Sequence, residues 1–339
     1  MQLWNETHSK FGLDTSFIKS GIFQKHLFLA VCTAIVILFL ILLYMFPFTS
    51  KTQGKGYYAK PSLKCTNNSK STIRVLCLIL ASAYESKKME AVDKTWAGRC
   101  DKHLFINGQT NTPLSAETIL NVPVPEKRNH LTMKVRLALE YVYRAYKGSF
   151  DWILKCDTDT YIIMENLRNL LSHVDSYQPG YLGFHMKSKK TQRYGYMSGG
   201  GAYAISWQGL HQLIHKGFKN DCCEEDGPSE DLNIGLCLAE SDVPVLNSRD
   251  KDGKETFHPA ALQRLLHPPH PKPIQNMAWN QIPSFGSDCC SKYSISFHRV
   301  SIDGHFLFEH LLYKTKVYNW EYCKDTLSEF NPHIVKPAY

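Results

Sequence analysis

The sequence has no Cys-x-x-Cys pair among its 11 cysteines, no long block of like charge, no internal repeat and no long low-complexity tract. Each absence removes a class of function. Without paired thiolate spacing, metal binding by these cysteines is not expected. Without a basic stripe or a known nucleic-acid module, the formal charge of +8 reads as solubility or affinity for anionic ligands and membrane surfaces, and nucleic acid is not an expected partner.

Long apolar runs are also scarce, with one exception. Leu27 to Phe48 is uncharged, rich in Ile, Leu and Val, and long enough to cross the ~30 Å hydrocarbon layer as a helix. It lacks the small-residue cleavage site of a signal peptide, because Tyr44-Met45-Phe46-Pro47-Phe48 follows instead. A membrane signal anchor is therefore expected. It gives a cytosolic tail over 1–26, a span over 27–48, a polar Gly/Lys/Ser-rich stem over 49–71, a lumenal domain over 72–325 and a tail over 326–339. Lysines flank the span on both sides, so the positive-inside count does not orient it. Ten cysteines and the Asn67-Asn68-Ser69 sequon lie beyond it, which favours an oxidising lumen for the C-terminal part.

The remaining chain, within a sequence that is 43% hydrophobic and 12% aromatic, is enough for a substantial core. Ile73 to Leu80 is a near-continuous apolar run, the pattern of a strand buried on both faces. A helix follows over Lys87 to Trp96, ending at Gly98. Leu104-Phe105-Ile106 reads as a second strand closed by Asn107-Gly108. Leu131, Val135, Ala138 and Val142 mark an amphipathic helix over Leu131 to Tyr146. Trp152-Ile153-Leu154 begins another strand, and Ile163 to Val174 another helix. Tyr181-Leu182-Gly183-Phe184 comes next. The alternation predicts an α/β domain with a mainly parallel sheet and helices on both faces.

Candidate chemistry centres on Asp157-Thr158-Asp159, just past the end of the strand beginning at Trp152. In extended backbone, residues i and i+2 point the same way, so both carboxylates can face one hard cation. An acidic tip between strand and helix is also where open α/β sheets place ligands. Alone, the pair is weak evidence: at an Asp frequency of ~5%, about one Asp-x-Asp is expected by chance in a chain this long. A second, Asp250-Lys251-Asp252, sits in Gly/Lys-rich turn chemistry and reads as a solvated turn.

Three later stretches add candidates. Tyr196-Met197-Ser198-Gly199-Gly200-Gly201-Ala202-Tyr203 removes side chains where backbone could approach a bulky ligand, although a flexible turn explains it equally well. Ser229 reads as an N-cap, with Glu230 and Asp231 in the first turn of a helix; capping alone accounts for them, and a general base at a cleft is the sharper reading. Ser294 to His298 reads as a strand ending in a histidine, a residue that is more often structural than a ligand when it stands alone.

Taken in order, these pieces resemble the fringe-like inverting β1,3-glycosyltransferases and, within them, the core 1 β1,3-galactosyltransferase branch. The stretches that carry the resemblance are Lys94-Thr95-Trp96-Ala97-Gly98-Arg99-Cys100, the strand with Asp157-Thr158-Asp159-Thr160-Tyr161, Gly195 to Gly200 and Glu230-Asp231-Leu232 with Gly235. Ser248-Arg249-Asp250, Gly253 to Pro259, Cys289-Cys290-Ser291 and Ser296-Phe297-His298 complete it, so it spans about Ile73 to Tyr318. It implies a GT-A-type (Rossmann-like) fold, UDP-galactose as donor, an O-GalNAc glycoprotein acceptor and Mn²⁺ as cofactor. It also implies a single-pass type II topology in the Golgi or secretory pathway, and it leaves room for a homodimer.

By this resemblance Asp157, Asp159 and His298 are the metal ligands and Asp231 the catalytic base. Arg128 and Lys134, together with Asp157, fall in the nucleotide-sugar-binding region. Trp279 and Gly200 are carried over as acceptor contacts. Expected disulfides are Cys77 with Cys100, Cys237 with Cys222 or Cys223, and a vicinal Cys289–Cys290, with connectivity open. The chain departs from the family pattern in two places. Thr158 stands where a third carboxylate is usual, and the aromatic-rich acceptor segment is replaced by the Pro-rich run from Pro268 to Pro273. Transfer of another UDP-sugar, another acceptor, or a weakly active chaperone-like role are the alternatives. Non-catalytic chaperone relatives lack the acidic motif, which this chain keeps.

Overall fold

The computed structural model describes residues 30–34, 73–109, 116–191, 194–221, 223–279 and 283–316. The chain divides into two compact units, Met1–Leu63 and Lys64–Tyr339. In the first, residues 30–34 are helical, and the rest of the expected span lies outside the described residues, as do the two tails, the stem and Asn67. Among the described residues no helix is long and apolar enough to cross a membrane.

The second unit is a mixed α/β domain. Its main sheet is formed by β1 (Val75–Leu80), β2 (Lys102–Gln109), β3 (Ile119–Pro125), β4 (Trp152–Asp157), β6 (Tyr181–Gly183) and β9 (Tyr203–Ser206), in the order β3-β2-β1-β4-β9-β6. The β3, β2, β1 and β4 strands are parallel, whereas β9 runs antiparallel to both β4 and β6. A mainly parallel sheet is thus observed, with one reversed strand beside the acidic one. The reversal follows from the Gly199-Gly200-Gly201 turn, which sends β9 back along β4 immediately after β8 (Tyr196–Met197) pairs with β7 (His185–Met186).

β1 is buried on both faces, with Val75, Leu76, Cys77, Leu78 and Ile79 all at 0% exposure. Burial of this kind stabilises by roughly 1.5–3 kcal/mol per large aliphatic side chain. Alternation splits the core in two. Val75, Cys77 and Ile79, with Trp152, Leu154 and Cys156 of β4, pack under α1 (Ser86–Lys94) and α3 (Met164–Leu171). Leu76, Leu78 and Ile153 face α2 (Leu131–Ala145), α4 (Trp207–His215) and α5 (Glu230–Ala239). Lys155 occupies the same face as Ile153, so a charged group is driven into the second layer by strand periodicity alone.

A small second sheet positions the site. Its strands are β5 (Tyr161–Ile162), β10 (Phe257–His258) and β11 (Ser296–Phe297), with β11 antiparallel to β5 and parallel to β10. The short helices α6 (Leu262–Leu266) and α7 (Lys272–Met277) follow β10, and α8 (Ile302–Tyr313) follows β11. Arg99 clamps α8 through Glu309 at 2.6 and 3.0 Å, and Glu309 also accepts from the Tyr161 hydroxyl at 3.1 Å. The Trp96–Cys100 stretch is therefore a scaffold: Trp96 is fully buried and Cys100 is bridged to Cys77. Cys237 pairs with Cys223, and Cys289 with Cys290.

Four readings are corrected. Asn107-Gly108 does not close β2, which continues to Gln109; Asn107 is fully buried and pairs in register with Asn121. β3 went unread because Asn121-Val122-Pro123-Val124-Pro125 is broken by two prolines, tolerable here because β3 is the last strand of the sheet. Ser229 occupies the N-cap position of α5 without a capping side-chain bond. Asp250 is buried rather than solvated, its carboxylate accepting the Asp252 and Lys254 amides at 3.0 and 2.9 Å.

Three buried histidines make the fold acid-sensitive. Burial lowers His258 to about 3 and, against a smaller opposing backbone hydrogen bond, His185 to about 4; His305 is lowered by burial to about 4. A histidine whose folded value is depressed favours the unfolded state as pH drops below its ordinary value of about 6.5, at up to ~1.4 kcal/mol per pH unit. The stabilisation is complete above that value and is lost between about 6.5 and 3. Thermal unfolding followed from pH 7.5 to pH 5 should show a falling midpoint, and His258→Phe should make the decline shallower. An unchanged slope in that variant would contradict the assignment.

Candidate metal and catalytic site

The C-terminal end of β4 delivers Asp157, a turn carries Thr158 to Thr160, and β5 then pairs with β11 in the register Tyr161↔Phe297. That pairing brings the next residue of β11's chain, His298, back over the acidic turn. A backbone bond from the Val300 amide to the Asp159 carbonyl, 2.8 Å, locks the two segments together. One ligand atom each from Asp157, Asp159 and His298 lies within 4.8 Å of the others. His298 Nε2 is 3.3 Å from Asp159 Oδ1 and 4.0 Å from Asp157 Oδ2. The side chains are 30%, 33% and 19% exposed, so the cluster is half-buried and within reach of solvent.

The three side chains act on one another electrostatically. Burial alone would lower the His298 imidazole, but the hydrogen bond and charge of Asp159, with Asp157 adding, outweigh it and hold it above its usual value. Burial likewise pushes Asp159 up, and the His298 bond and charge, with Lys88 behind them, bring it below the ordinary carboxylate range. Two carboxylates and an imidazole are a mixed O/N donor set suited to a divalent cation such as Mn²⁺. His298 also packs closely on the glycine turn: a Cβ on Gly200 would lie 2.2 Å from His298 Cε1 and 2.5 Å from both ring nitrogens. Gly200 is glycine so that the imidazole can occupy its position.

Gly199 serves the opposite side. Its amide donates to Asp231 Oδ2 at 2.9 Å, and a Cβ there would crowd Asp231 Cβ at 3.0 Å, Glu230 Oε2 at 3.1 Å and Lys155 Nζ at 3.1 Å. Two consecutive glycines therefore join the Asp231 side of the site to the His298 side. Neighbouring bonds hold this turn: Thr160 Oγ1 donates to the Gly200 carbonyl at 2.8 Å and Ser296 Oγ to the Gly201 carbonyl.

Of the adjacent acids, Glu230 is only 5% exposed. Its Oε2 accepts from Lys155 at 2.8 Å and its Oε1 from the Tyr203 hydroxyl at 2.5 Å. Burial holds Glu230 above its ordinary value against the charge of Lys155. Asp231 is more open, and its oxygens take only backbone amides, from Gly199 and from Leu232 at 2.9 Å. A carboxylate held by backbone amides at a helix start has a fixed orientation.

The structure brings Asp157, Asp159, His298, Gly200 and Asp231 together. It places the other candidates differently. Lys134 is 2% exposed, and its ammonium is spent on Glu126 Oε1 at 2.6 Å and the Ala81 carbonyl at 2.5 Å. Burial lowers its value below that of an ordinary lysine. Arg128 is exposed on a short 3-10 turn, Arg128–His130. Trp279 is 8% exposed, with the His185 ring stacked on it at 4.6 Å. Three further residues adjoin the site. Lys155 binds Asp157 Oδ1 at 2.9 Å, and Thr158 donates to Glu85 Oε2 at 3.2 Å. Lys88, raised first by its bond to Glu85, also feels Asp159 and Asp157. Lys155 was findable, since it lies two residues before Asp157 in a strand and must share its face; Glu85 and Lys88 carried no such signal.

Comparison with known proteins gives a consistent picture. Residues 78–303 match the family model described as Fringe-like. Glycoprotein-N-acetylgalactosamine 3-beta-galactosyltransferase 1 of Xenopus laevis is 32% identical over 263 residues, covering 74% of this chain and 69% of that protein. Beta-1,3-glucosyltransferase of Mus musculus is 26% identical over 166 residues, 49% of this chain and 33% of that protein. Among solved structures, a glycosyltransferase involved in the glycosylation of the major capsid of PBCV-1 overlaps 41% of this chain and 62% of its own, at 17% identity and a TM-score of 0.25, too slight a likeness to bear on the fold.

Gly200→Ala should displace His298 and weaken Mn²⁺ binding by about tenfold or more, with the melting temperature little changed. Gly98→Ala is the control, since an added Cβ there meets nothing within 4 Å. Equal Mn²⁺ affinities for the two variants, measured by calorimetric titration, would contradict the role assigned to Gly200.

Proposed function

Because the chain belongs to the fringe-like family, as a glycosyltransferase of its core 1 β1,3-galactosyltransferase branch, we propose that it transfers galactose from UDP-galactose in β1,3 linkage to GalNAc-α-Ser/Thr of glycoproteins, with inversion. The observation that carries this reading is the convergence of Asp157, Asp159 and His298 within 4.8 Å, joined through Gly200 and Gly199 to Asp231. A GT-A-type domain would present its donor site in this way, at the carboxyl end of a sheet.

In this reading Asp157, Asp159 and His298 hold a divalent cation, which when bound supplies the positive charge that a departing nucleoside diphosphate requires. Lys88 and the exposed Arg128 add positive charge toward the phosphates, while Lys134 acts through Glu126 rather than by contact. Asp231 takes the proton of the acceptor hydroxyl as its oxygen attacks the sugar carbon from the face opposite the diphosphate. A single displacement inverts the configuration, so one base suffices and no enzyme nucleophile is needed. Glu230, with both oxygens engaged, is the weaker candidate for that base. Trp279, buried with the His185 ring stacked on it, would contribute to the acceptor side.

The same reading puts the catalytic domain in the lumen of the Golgi or another secretory compartment, anchored by a type II span over 27–48. The three disulfides support an oxidising compartment. A second donor is favoured by one observation, the match to a beta-1,3-glucosyltransferase.

The purified full chain with UDP-galactose, Mn²⁺ and a GalNAc-α-Thr peptide should yield a β1,3-linked disaccharide. Asp231→Asn should lower kcat by about 10²–10⁴-fold while UDP affinity is retained. Transfer from UDP-glucose but not UDP-galactose would replace the donor, and near-full turnover by Asp231→Asn would move the base elsewhere.

A further inference from the structure

Lys155 lies in the fourth strand's buried face with 1% of its side chain exposed, set between two carboxylates. Its ammonium donates to Asp157 Oδ1 at 2.9 Å and Glu230 Oε2 at 2.8 Å. The cross-strand partner of Lys155 is Tyr203, whose hydroxyl takes the other oxygen of Glu230. The two ends of Glu230 are thus held by neighbouring strands, and α5 begins where that grip ends.

This arrangement has a geometric consequence. Asp157 has one oxygen on Lys155 and the other, Oδ2, turned toward His298. Asp231 follows Glu230 directly at the start of the same helix. We propose that Lys155 is a positioning residue that fixes the distance between the two halves of the reaction centre: it orients Asp157 so that Oδ2 faces the cation, and through Glu230 it anchors the helical turn that presents Asp231. The proposal rests on the functional reading above, because it assigns Lys155 to a cation held by Asp157 and to a base at Asp231.

The experiment separates orientation from charge. Replacing Lys155 alone leaves Glu230 buried without its counter-ion and puts folding at risk. Lys155→Met combined with Glu230→Gln removes one positive and one negative charge together, so the net charge of the buried cluster is conserved while the hydrogen bond to Asp157 is lost. Glu230→Gln alone keeps the bond from Lys155 to Asp157 and disturbs only the branch toward Asp231. Mn²⁺ binding to the full chain is measured by the EPR signal of free Mn²⁺, folding by thermal unfolding, and turnover as separate kcat and KM values.

The double variant is expected to bind Mn²⁺ about tenfold or more weakly, the range carried by hydrogen-bond partners of metal ligands. Glu230→Gln is expected to bind Mn²⁺ within about twofold of the unmodified chain, with kcat lowered about tenfold or more and KM for the donor little changed, as when an interaction made only in the transition state is lost. A folded double variant with undiminished Mn²⁺ affinity overturns the proposal. So does a Glu230→Gln chain that loses Mn²⁺ affinity without any selective loss of kcat, which is the result expected of a purely structural ion pair and is read even if the double variant does not fold. An unmodified chain that binds no Mn²⁺ overturns the functional reading itself, a separate outcome.

Discussion

Four carboxylates, those of Asp157, Asp159, Glu230 and Asp231, converge at the carboxyl end of β4, and the region is organised by the need to hold them there. An unpaired carboxylate taken out of water is costly, by several kcal/mol after relaxation. Each of the four is compensated differently, and the difference separates their roles. Glu230 is closed off by Lys155 and Tyr203. Asp157 shares Lys155 but keeps one oxygen turned toward His298. Asp159 meets His298, and Asp231 is met only by backbone amides.

The backbone that permits this convergence is the turn between β8 and β9. Gly199 makes space for the Asp231 side and Gly200 for the His298 side, and Ala202 completes the turn at a φ of 68°. A residue with a side chain rarely adopts that region, so the turn carries local strain of the kind often found beside functional sites. Its compensation is visible in the bonds from Thr160 and Ser296 to the Gly200 and Gly201 carbonyls. The glycine run is a fitted part of the site rather than a loose connection.

Local patterns in the sequence reveal much of this and miss the rest for identifiable reasons. The apolar run of β1 and the periodicity of α2 are legible because burial on two faces, or on one helical stripe, leaves a direct mark on residue order. β3 is not, since its prolines hide an edge strand. The reversal of β9 depends on a turn whose glycines look like ordinary punctuation. At the site, Asp157 and Asp159 are marked by their place after a strand. His298 is more than a hundred residues away, and its partnership is set by the β5–β11 ladder, a two-residue pairing below the resolution of any periodicity. Lys134 had the right charge in the right segment, but charge alone does not say whether an ammonium faces a ligand or, as here, the Ala81 carbonyl and Glu126.

The central claim is that Asp157, Asp159 and His298 together hold a divalent cation beneath a nucleoside diphosphate. Pulsed EPR of Mn²⁺ bound to the full chain in the presence of UDP tests it most directly, because it reads the nitrogen and phosphorus nuclei around the ion. The account predicts one strong ¹⁴N coupling that disappears in His298→Ala, together with ³¹P couplings from the diphosphate. A bound Mn²⁺ with phosphorus couplings but no imidazole nitrogen, or one whose nitrogen coupling survives His298→Ala, would contradict it.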